Sequence, residues 1–311
     1  MNADIIVIGA GPGGMEVVAM ALKENRSVVV IERDCAGGTC LNRGCIPTKA
    51  LCRSAEVAAD LHDADKFGIS ASPAAIDYAA VVSRKNKIVE DLRNNVDTML
   101  SAATYVKGDA TLVKDGVKVG DELYSAPTIV IATGSEPSTL PVPGAEYTID
   151  STAMLDMQSL PARLVIVGGG VIGMEFASIL STFGVSVTVI EYAPEILPAF
   201  DRETAKRLRS LLSRKGIKII TGAAVTAIGS DHTVTYESKG KTLSVEADAV
   251  LMAVGRRPVI PSGAVELGIE VGRRGIITDE NFMTNIPGIY AICDVNGKMM
   301  LAHVAEAQAR T

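Results

Sequence analysis

Tryptophan is missing from this chain of 311 residues, and aromatic side chains of every kind make up only 4% of it. A stacking platform for single-stranded nucleic acid needs such rings, so that class of function is not expected. Histidine occurs three times, at His62, His232 and His303. Each lies far along the chain from the paired cysteines, so a four-ligand zinc centre is not expected and no metal is assigned. No block of basic residues stands out: the net charge is −6, with the two signs interspersed. That argues against nucleic acid and against an anionic membrane as partners. The N-terminus runs from Met1-Asn2-Ala3-Asp4 straight into an apolar strand, without the basic region and small-residue cleavage site of a secretion signal. Five cysteines, an odd number, suit a reducing compartment with one redox pair better than a disulfide scaffold, and the expected location is cytoplasmic.

One stretch imitates a membrane helix. From Leu164 to Ile190 the only charged residue is Glu175. Five glycines within it, with β-branched runs at both ends, predict a buried strand, helix and strand instead.

What is present is a globular composition, 48% hydrophobic, enough for two domains with their own cores. The strand Ile5 to Ile8, the turn Gly9-Ala10-Gly11-Pro12-Gly13-Gly14, a helical segment and the strand Val28 to Ile31 ending in Glu32 form a dinucleotide fingerprint in its required setting. The unit recurs without a gap. Gly9, Gly11, Gly14, Glu16 and Glu32 become Gly168, Gly170, Gly173, Glu175 and Glu191, each displaced by 159 residues. Two nucleotides are therefore expected, with each terminal acid on a ribose. A long helix is expected over Tyr78 to Ala103, and a meander of short strands over Gly108 to Thr133 with Asp115-Gly116 as a turn. A second set of short strands is expected near Thr233 to Glu237 and Thr242 to Glu246, and a strand ending in an acid over Gly288 to Asp294. The fold expected is α/β: two Rossmann-like dinucleotide-binding domains of three-layer ββα type, each with a small antiparallel β insertion.

The chemistry is expected at Cys40 and Cys45, with Gly44 as pivot between them and Pro47 where a helix's first turn accepts it. A helix starting at Cys45 would favour a thiolate there, through unpaired N–H groups and the helix dipole. Taken alone, the pair leaves two readings open, a redox couple or two inert thiols acting as small hydrophobes. Cys52 is expected in the core, Cys35 in a loop, and His62 has no assigned role.

In their order along the chain, several motifs resemble the flavoprotein disulfide reductases, and within them the enzymes that oxidise dihydrolipoamide. They are Gly9 to Gly14, Gly38-Thr39-Cys40-Leu41-Asn42-Arg43-Gly44-Cys45-Ile46-Pro47-Thr48-Lys49, Ala132-Thr133-Gly134, the second fingerprint with Glu175, Ala253-Val254-Gly255-Arg256-Arg257-Pro258, and Tyr290 to Asp294 with Met300-Leu301-Ala302-His303. The resemblance implies FAD on Gly9, Gly11, Pro12, Gly13, Gly14, Glu32, Gly38, Thr39, Lys49, the backbone at Ala110, Ala132, Thr133, Gly134, Asp294, Met300, Leu301, Ala302 and His303. It implies NAD on Gly168, Gly170, Val171, Ile172, Gly173, Glu175, Glu191, the backbone at Val225, and Gly255. Cys40 would meet substrate, Cys45 would touch the flavin, and Lys49 and Glu175 would form an ion pair beside it. The implied domains are 1–150 for FAD, completed by 275–311, and 151–274 for NAD.

The implied partner is a small dithiol or disulfide, such as the lipoyl domain of a 2-oxoacid dehydrogenase complex. Reductases of glutathione or of mercuric ion are alternatives on the same frame. Glu191 stands against the first, and the lack of an extra cysteine pair at either end against the second. Two departures from the family are visible. Cys293 replaces a glycine, which is expected to hinder the backbone's approach to the flavin. The C-terminal dimerisation domain, whose His and Glu supply acid-base catalysis across a homodimer, is expected to be absent, which makes a catalytically incomplete FAD- and NAD-binding fragment a further alternative.

Overall fold

The computed structural model describes residues 1–70, 72 and 75–311. They divide into two compact units, one of Met1–Ile46, Val89–Glu136 and Arg256–Thr311, the other of Pro47–Ile88 and Pro137–Gly255. This division differs from expected cuts near 150 and 275, and core packing gives the reason. Leu51, Ala55, Tyr78 and Val82 share one core with Met154, Leu164, Phe176 and Leu180, so segment 47–88 belongs to the second unit. Ala264 and Ile269 share a core with Leu112 and Ile276, which returns the segment after Gly255 to the first.

The first unit is built on a five-stranded parallel sheet in the order Ile289–Ala291, Thr128–Ile131, Ile5–Ile8, Val28–Glu32, Thr104–Lys107. Side chains alternate across a strand, and each face of this sheet has its own cover. Ile5, Val7, Val28 and Val30 pack with Met15 and Val18 of the helix Pro12–Lys23, with Leu100 and with Ala305. Ile6, Ile8, Val29 and Ile31 pack with Leu112, Val117 and Tyr124, from the antiparallel strands Ala110–Val113, Gly116–Val119 and Glu122–Tyr124. Both faces of Ile5–Ile8 are thus buried, at roughly 1.5–3 kcal/mol for each aliphatic side chain. The expected strand over Gly288 to Asp294 ends at Ala291, and Cys293–Asn296 forms a 3-10 turn. Ile292 is still extended, and Cys293, at φ +69°, leaves the extended region.

The second unit repeats the plan with four parallel strands, Lys218–Thr221, Ser186–Glu191, Arg163–Val167 and Ala249–Met252. Leu164, Ile166, Val187 and Val189 meet Phe176, Ile179 and Leu180 of the helix Val171–Thr182. Val165, Val167 and Ile190 meet Val225, Val234 and Tyr236, from the antiparallel strands Ala223–Ile228, Val234–Ser238 and Lys241–Val245. The apolar stretch from Leu164 to Ile190 is therefore strand, helix and strand. Among the described residues no helix is long and apolar enough to cross a membrane.

Candidate active site

In the first unit the chain leaves the strand Ile5–Ile8 at Gly9, whose φ is +105°; a β-carbon there would overlap the Ala132 carbonyl. Gly11 caps the helix Pro12–Lys23 and Pro12 opens it, so the first-turn N–H groups point out of the turn as donors. Gly38, at φ +57°, lies across Gly11, and a β-carbon on it would come to 2.6 Å from the Gly11 Cα. Glu32 ends the next strand almost fully buried. Its Oε2 accepts the Ala10 N–H at 2.9 Å and its Oε1 the Asp34 N–H at 2.8 Å, which leaves each oxygen a lone pair to accept a hydroxyl. Ser135 donates to the Asp294 carboxylate at 2.5 Å and accepts from Arg256 Nε at 2.7 Å. The Thr133 hydroxyl donates to the Val259 carbonyl at 2.5 Å, and Gly134 follows at φ +68°. Ala110 stands in a strand, paired with Val119. Met300 and Leu301 lead into the helix Ala302–Ala309, which Ala302 and His303 open.

The two cysteines stand on consecutive helices of the chain. Gly37 and Gly38, both at positive φ, turn it into the short helix Gly38–Arg43, which carries Thr39 and Cys40. Gly44 breaks the run at φ −143°, ψ −113°, where a β-carbon would press on the Thr39 carbonyl at 2.9 Å. Cys45 then starts the helix Cys45–His62, with Pro47 in its first turn. Both cysteines are half-buried. The short helix is anchored by Asn42, whose Nδ2 donates to the Ala36 and Gly38 carbonyls at 2.9 Å each, while its Oδ1 accepts Arg93 Nε at 2.9 Å and Nη2 at 2.7 Å. Arg43 pairs with Asp34 and holds that carboxyl below its usual range. Sequence reasoning assigned no role to Asn42 or Arg93. Their link joins residues 51 apart, and nothing local in the sequence announces it.

The second unit rebuilds the first cradle. Gly168 takes φ +108° beneath the Ala253 carbonyl, Gly173 packs against the Gly168 carbonyl, and Gly255 takes φ +115°. Gly170 caps the helix that Val171, Ile172 and Gly173 begin. Glu191 accepts the Gly169 N–H at 2.5 Å and the Ala193 N–H at 2.6 Å, the same bonds that Glu32 makes. Val225 lies in the strand Ala223–Ile228 beside a register irregularity. One turn into the helix from Gly170, burial pushes the Glu175 carboxyl up, and the ammonium of Lys49 draws it part of the way back.

Residues 3–309 match the family described as pyridine nucleotide-disulphide oxidoreductase. The chain belongs to that family. It is 39% identical over 318 residues to a dihydrolipoyl dehydrogenase of Acholeplasma laidlawii, covering 99% of this chain and 94% of that protein. It is 40% identical over 314 residues to one of Chlamydia pneumoniae, covering 98% and 68%. A solved structure, the Cu(II) complex of the HOCl-induced flavoprotein disulfide reductase RclA from Escherichia coli, superposes with a TM-score of 0.87 at 30% identity, over 100% of this chain and 70% of that one.

As a pyridine nucleotide-disulphide oxidoreductase, the chain is a flavoprotein oxidoreductase that uses FAD and NAD. Its residues fit two dinucleotides. Each copy offers a glycine turn that side chains would block, a helix N-terminus with donors for pyrophosphate, and a buried acid with spare lone pairs. The copies differ in enclosure: Gly38 lies over Gly11, whereas a β-carbon on Gly170 would meet open space. Of the other cysteines, Cys52 packs against the second unit's core. Its thiol is pushed up by burial, then by Glu175 and Glu56, which makes it a poor nucleophile at neutral pH. The Cys35 thiol lies beside the Asp34 carboxylate.

Proposed function

We propose that the chain oxidises a dihydrolipoamide-type dithiol, with Cys40 and Cys45 as the exchanging pair and NAD as the final acceptor. The observation that carries this reading is the position of Cys45 as the first residue of an 18-residue helix, one break after the helix that bears Cys40. The dihydrolipoyl dehydrogenases at 39–40% identity support the substrate class. In the oxidised pair Cys40 and Cys45 share a disulfide. A substrate thiolate attacks Cys40 Sγ, a mixed disulfide forms, and the Cys45 thiolate leaves, stabilised by the helix N-terminus. The second substrate thiol, once deprotonated, attacks the substrate sulfur of the mixed disulfide and expels Cys40 as a thiolate. Substrate leaves as a disulfide, and the pair holds the two electrons. FAD held by the first cradle would supply the two-electron carrier between this cysteine pair and NAD.

Gly9, Gly11, Pro12, Gly13, Gly14 and Glu32 would hold FAD, together with Gly38, Thr39, Lys49, Ala110, the Ala132-Thr133-Gly134 turn, Asp294 and the stretch from Met300 to His303. Gly168 to Gly173, Glu175, Glu191, Val225 and Gly255 would hold NAD. Lys49 and Glu175 are assigned the charge pair that steadies the transfer. The resemblance supports a lipoyl domain as carrier of the dithiol and a homodimer as the working form.

The test is a count of thiols by mass after anaerobic NADH reduction and maleimide labelling of the FAD-loaded chain. Reduction should expose two new thiols, at Cys40 and Cys45, and leave Cys35 and Cys52 as they were. Labelling at any other pair would sink the assignment.

A further inference from the structure

The helix that carries Cys40 is only six residues long, Gly38–Arg43. A helix of that length does not hold itself in water, so it depends on what it is tied to. Its two ends give no rigid joint: Gly37 and Gly38, both left-handed, turn the chain into it, and Gly44 breaks the chain before the helix Cys45–His62 begins. Left to itself, the segment would pivot and take Cys40 away from Cys45. Asn42, two residues on from Cys40, prevents this. Its Nδ2 donates to the Ala36 and Gly38 carbonyls at 2.9 Å each and to that of Cys35 at 3.4 Å, which stitches the glycine turn to the helix. Its Oδ1 accepts Arg93 Nε at 2.9 Å and Arg93 Nη2 at 2.7 Å. The amide has one stable orientation, because turned over it would set its oxygen against three carbonyls and its NH2 against a cation.

Arg93 stands on the long helix Tyr78–Leu100, in the part that belongs to the first unit. Its guanidinium thus fastens the Cys40 helix to a rigid element, and a charged donor makes that bond about twice as strong as a neutral one. We propose that Arg93 is a positioning residue for Cys40: by holding Asn42 it keeps the short helix in place against the start of the next one, and so favours closure of Cys40 and Cys45 to a disulfide. Closure needs the two Cα atoms within about 4.4–6.8 Å and a narrow torsion. The freedom that a pivoting segment would lose on closing is here already lost in the fold. A second effect opposes this one. A cation near the pair favours thiolates, which belong to its reduced form, so loss of the charge alone would push the pair toward disulfide. Arg93 directs its charge at Asn42 from a half-buried position, where water and salt screen what remains, and positioning outweighs the field. This role rests on the reading of Cys40 and Cys45 as the exchanging pair.

The test uses the FAD-loaded full chain, equilibrated without oxygen in mixtures of reduced and oxidised dithiothreitol. As the bond between Cys40 and Cys45 forms, two electrons and two protons pass from their thiols to oxidised dithiothreitol, whose own disulfide breaks. Acid trapping, maleimide labelling and peptide mass give the fraction of the pair in each form. Arg93→Met should move the exchange constant about tenfold toward the dithiol, which is about 30 mV in potential. Arg93→Lys keeps the charge and one donor, and should fall between wild type and Arg93→Met. On an Asn42→Ala background, Arg93→Met should add less than about twofold, because its route to Cys40 is gone. A change below about threefold in Arg93→Met overturns the proposal, even if the urea midpoint falls, because the contact would then be a staple of the fold and nothing more. A shift toward the disulfide also overturns it, since the field of the guanidinium would then be the stronger effect. So does an undiminished effect of Arg93→Met in the absence of Asn42. Exchange of the wild type at cysteines other than Cys40 and Cys45 would break the reading of the pair itself, an outcome visible before any variant is made.

Discussion

Gly13 and Ile172 stand at the same register of two copies of one unit, 159 residues apart, and the remainder of each unit explains why they differ. In the first, the terminal strand, the 3-10 turn and the helix Ala302–Ala309 crowd the start of the fingerprint helix. A β-carbon at Gly13 would overlap Cys293 Sγ and sit 3.0 Å from the Ala305 carbonyl. In the second, nothing equivalent arrives among the described residues, and a bulky aliphatic side chain packs against the core. Where backbone geometry alone is at stake the copies agree: Gly9 and Gly168 take φ of +105° and +108°, and Glu32 and Glu191 accept the same pair of amides. The parts that would face a dinucleotide are repeated, and the parts that surround it have diverged. On the proposed assignment, enclosure at Gly11 would suit a FAD that stays, and openness at Gly170 an NAD that leaves at every turnover.

Exchanging the two residues is the harshest way to break this comparison. Gly13→Ile should cost about 3 kcal/mol or more of stability, because the clash includes a backbone carbonyl that cannot rotate away. FAD content of the purified protein should fall with it. Ile172→Gly leaves space rather than overlap, and should cost less than about 1 kcal/mol beyond lost packing, chiefly from helix propensity. Urea unfolding and flavin content measure both. Equal losses would show that enclosure does not distinguish the units.

The matched acids give the next largest effect. A hydrogen bond to a charged group is worth roughly 1.5–3 kcal/mol, so Glu191→Ala should weaken NADH binding by roughly 10- to 100-fold by calorimetry. Glu32→Ala should do the same to FAD. Tyr192, 80% exposed, follows Glu191, so no cation stands next to it in sequence to offset the repulsion between its carboxylate and a 2′-phosphate. NADPH should therefore reduce the flavin only at much higher concentration than NADH, and Glu191→Ala with Tyr192→Arg should narrow the gap. Equal use of the two by the unmodified chain would remove Glu191 as the selector.

Much of this was legible in the sequence, for physical reasons that also mark where legibility stops. The strands Ile5–Ile8 and Arg163–Val167 are buried on both faces and so read as β-branched apolar runs. The repeat then exposes Glu32 and Glu191 as counterparts. The strand Thr104–Lys107 carries no such apolar run, because it sits at the sheet edge with half-buried and exposed residues alternating. Nothing local in segment 47–88 separates it from the first domain, since only long-range packing, Leu51 and Tyr78 against the core around Phe176, assigns it to the second unit. Cys293 was visible as a departure from glycine, but its seat on Gly13 depends on a turn that bends the chain at that residue.

Glu16 and Glu175 also share a register, and they sharpen the comparison by their partners. Glu175 is raised by burial and partly restored by Lys49, so Lys49→Met should raise it further. An acid whose folded value lies above its unfolded value binds more protons in the folded chain, and stability then falls as pH rises through the window between the two. The window starts at the ordinary carboxyl value and should extend further upward in Lys49→Met. Urea midpoints should fall more steeply with pH above the ordinary carboxyl range in that variant than in wild type, with Lys49→Arg close to wild type. Parallel profiles would mean that Lys49 does not act on Glu175.

Glu16 should give the smallest effect of all. Its partner is Arg310, whose Nε donates at 2.7 Å from the terminal helix, but that arginine side chain is 61% exposed. Water and salt screen such a pair, and holding two long side chains in register offsets most of what attraction remains. The terminal helix has other reasons to stay: Ala305 and Gln308 are buried, and Gln308 accepts two hydrogen bonds from the turn before it. Arg310→Ala should therefore leave the unfolding midpoint unshifted within error and change the Kd for FAD by less than about twofold. A larger change would mean that the terminal helix is clamped on the fingerprint helix by this surface pair rather than by burial. The crowding at Gly13, and with it the enclosure of the first cradle, would then be a salt-sensitive property rather than one fixed by packing.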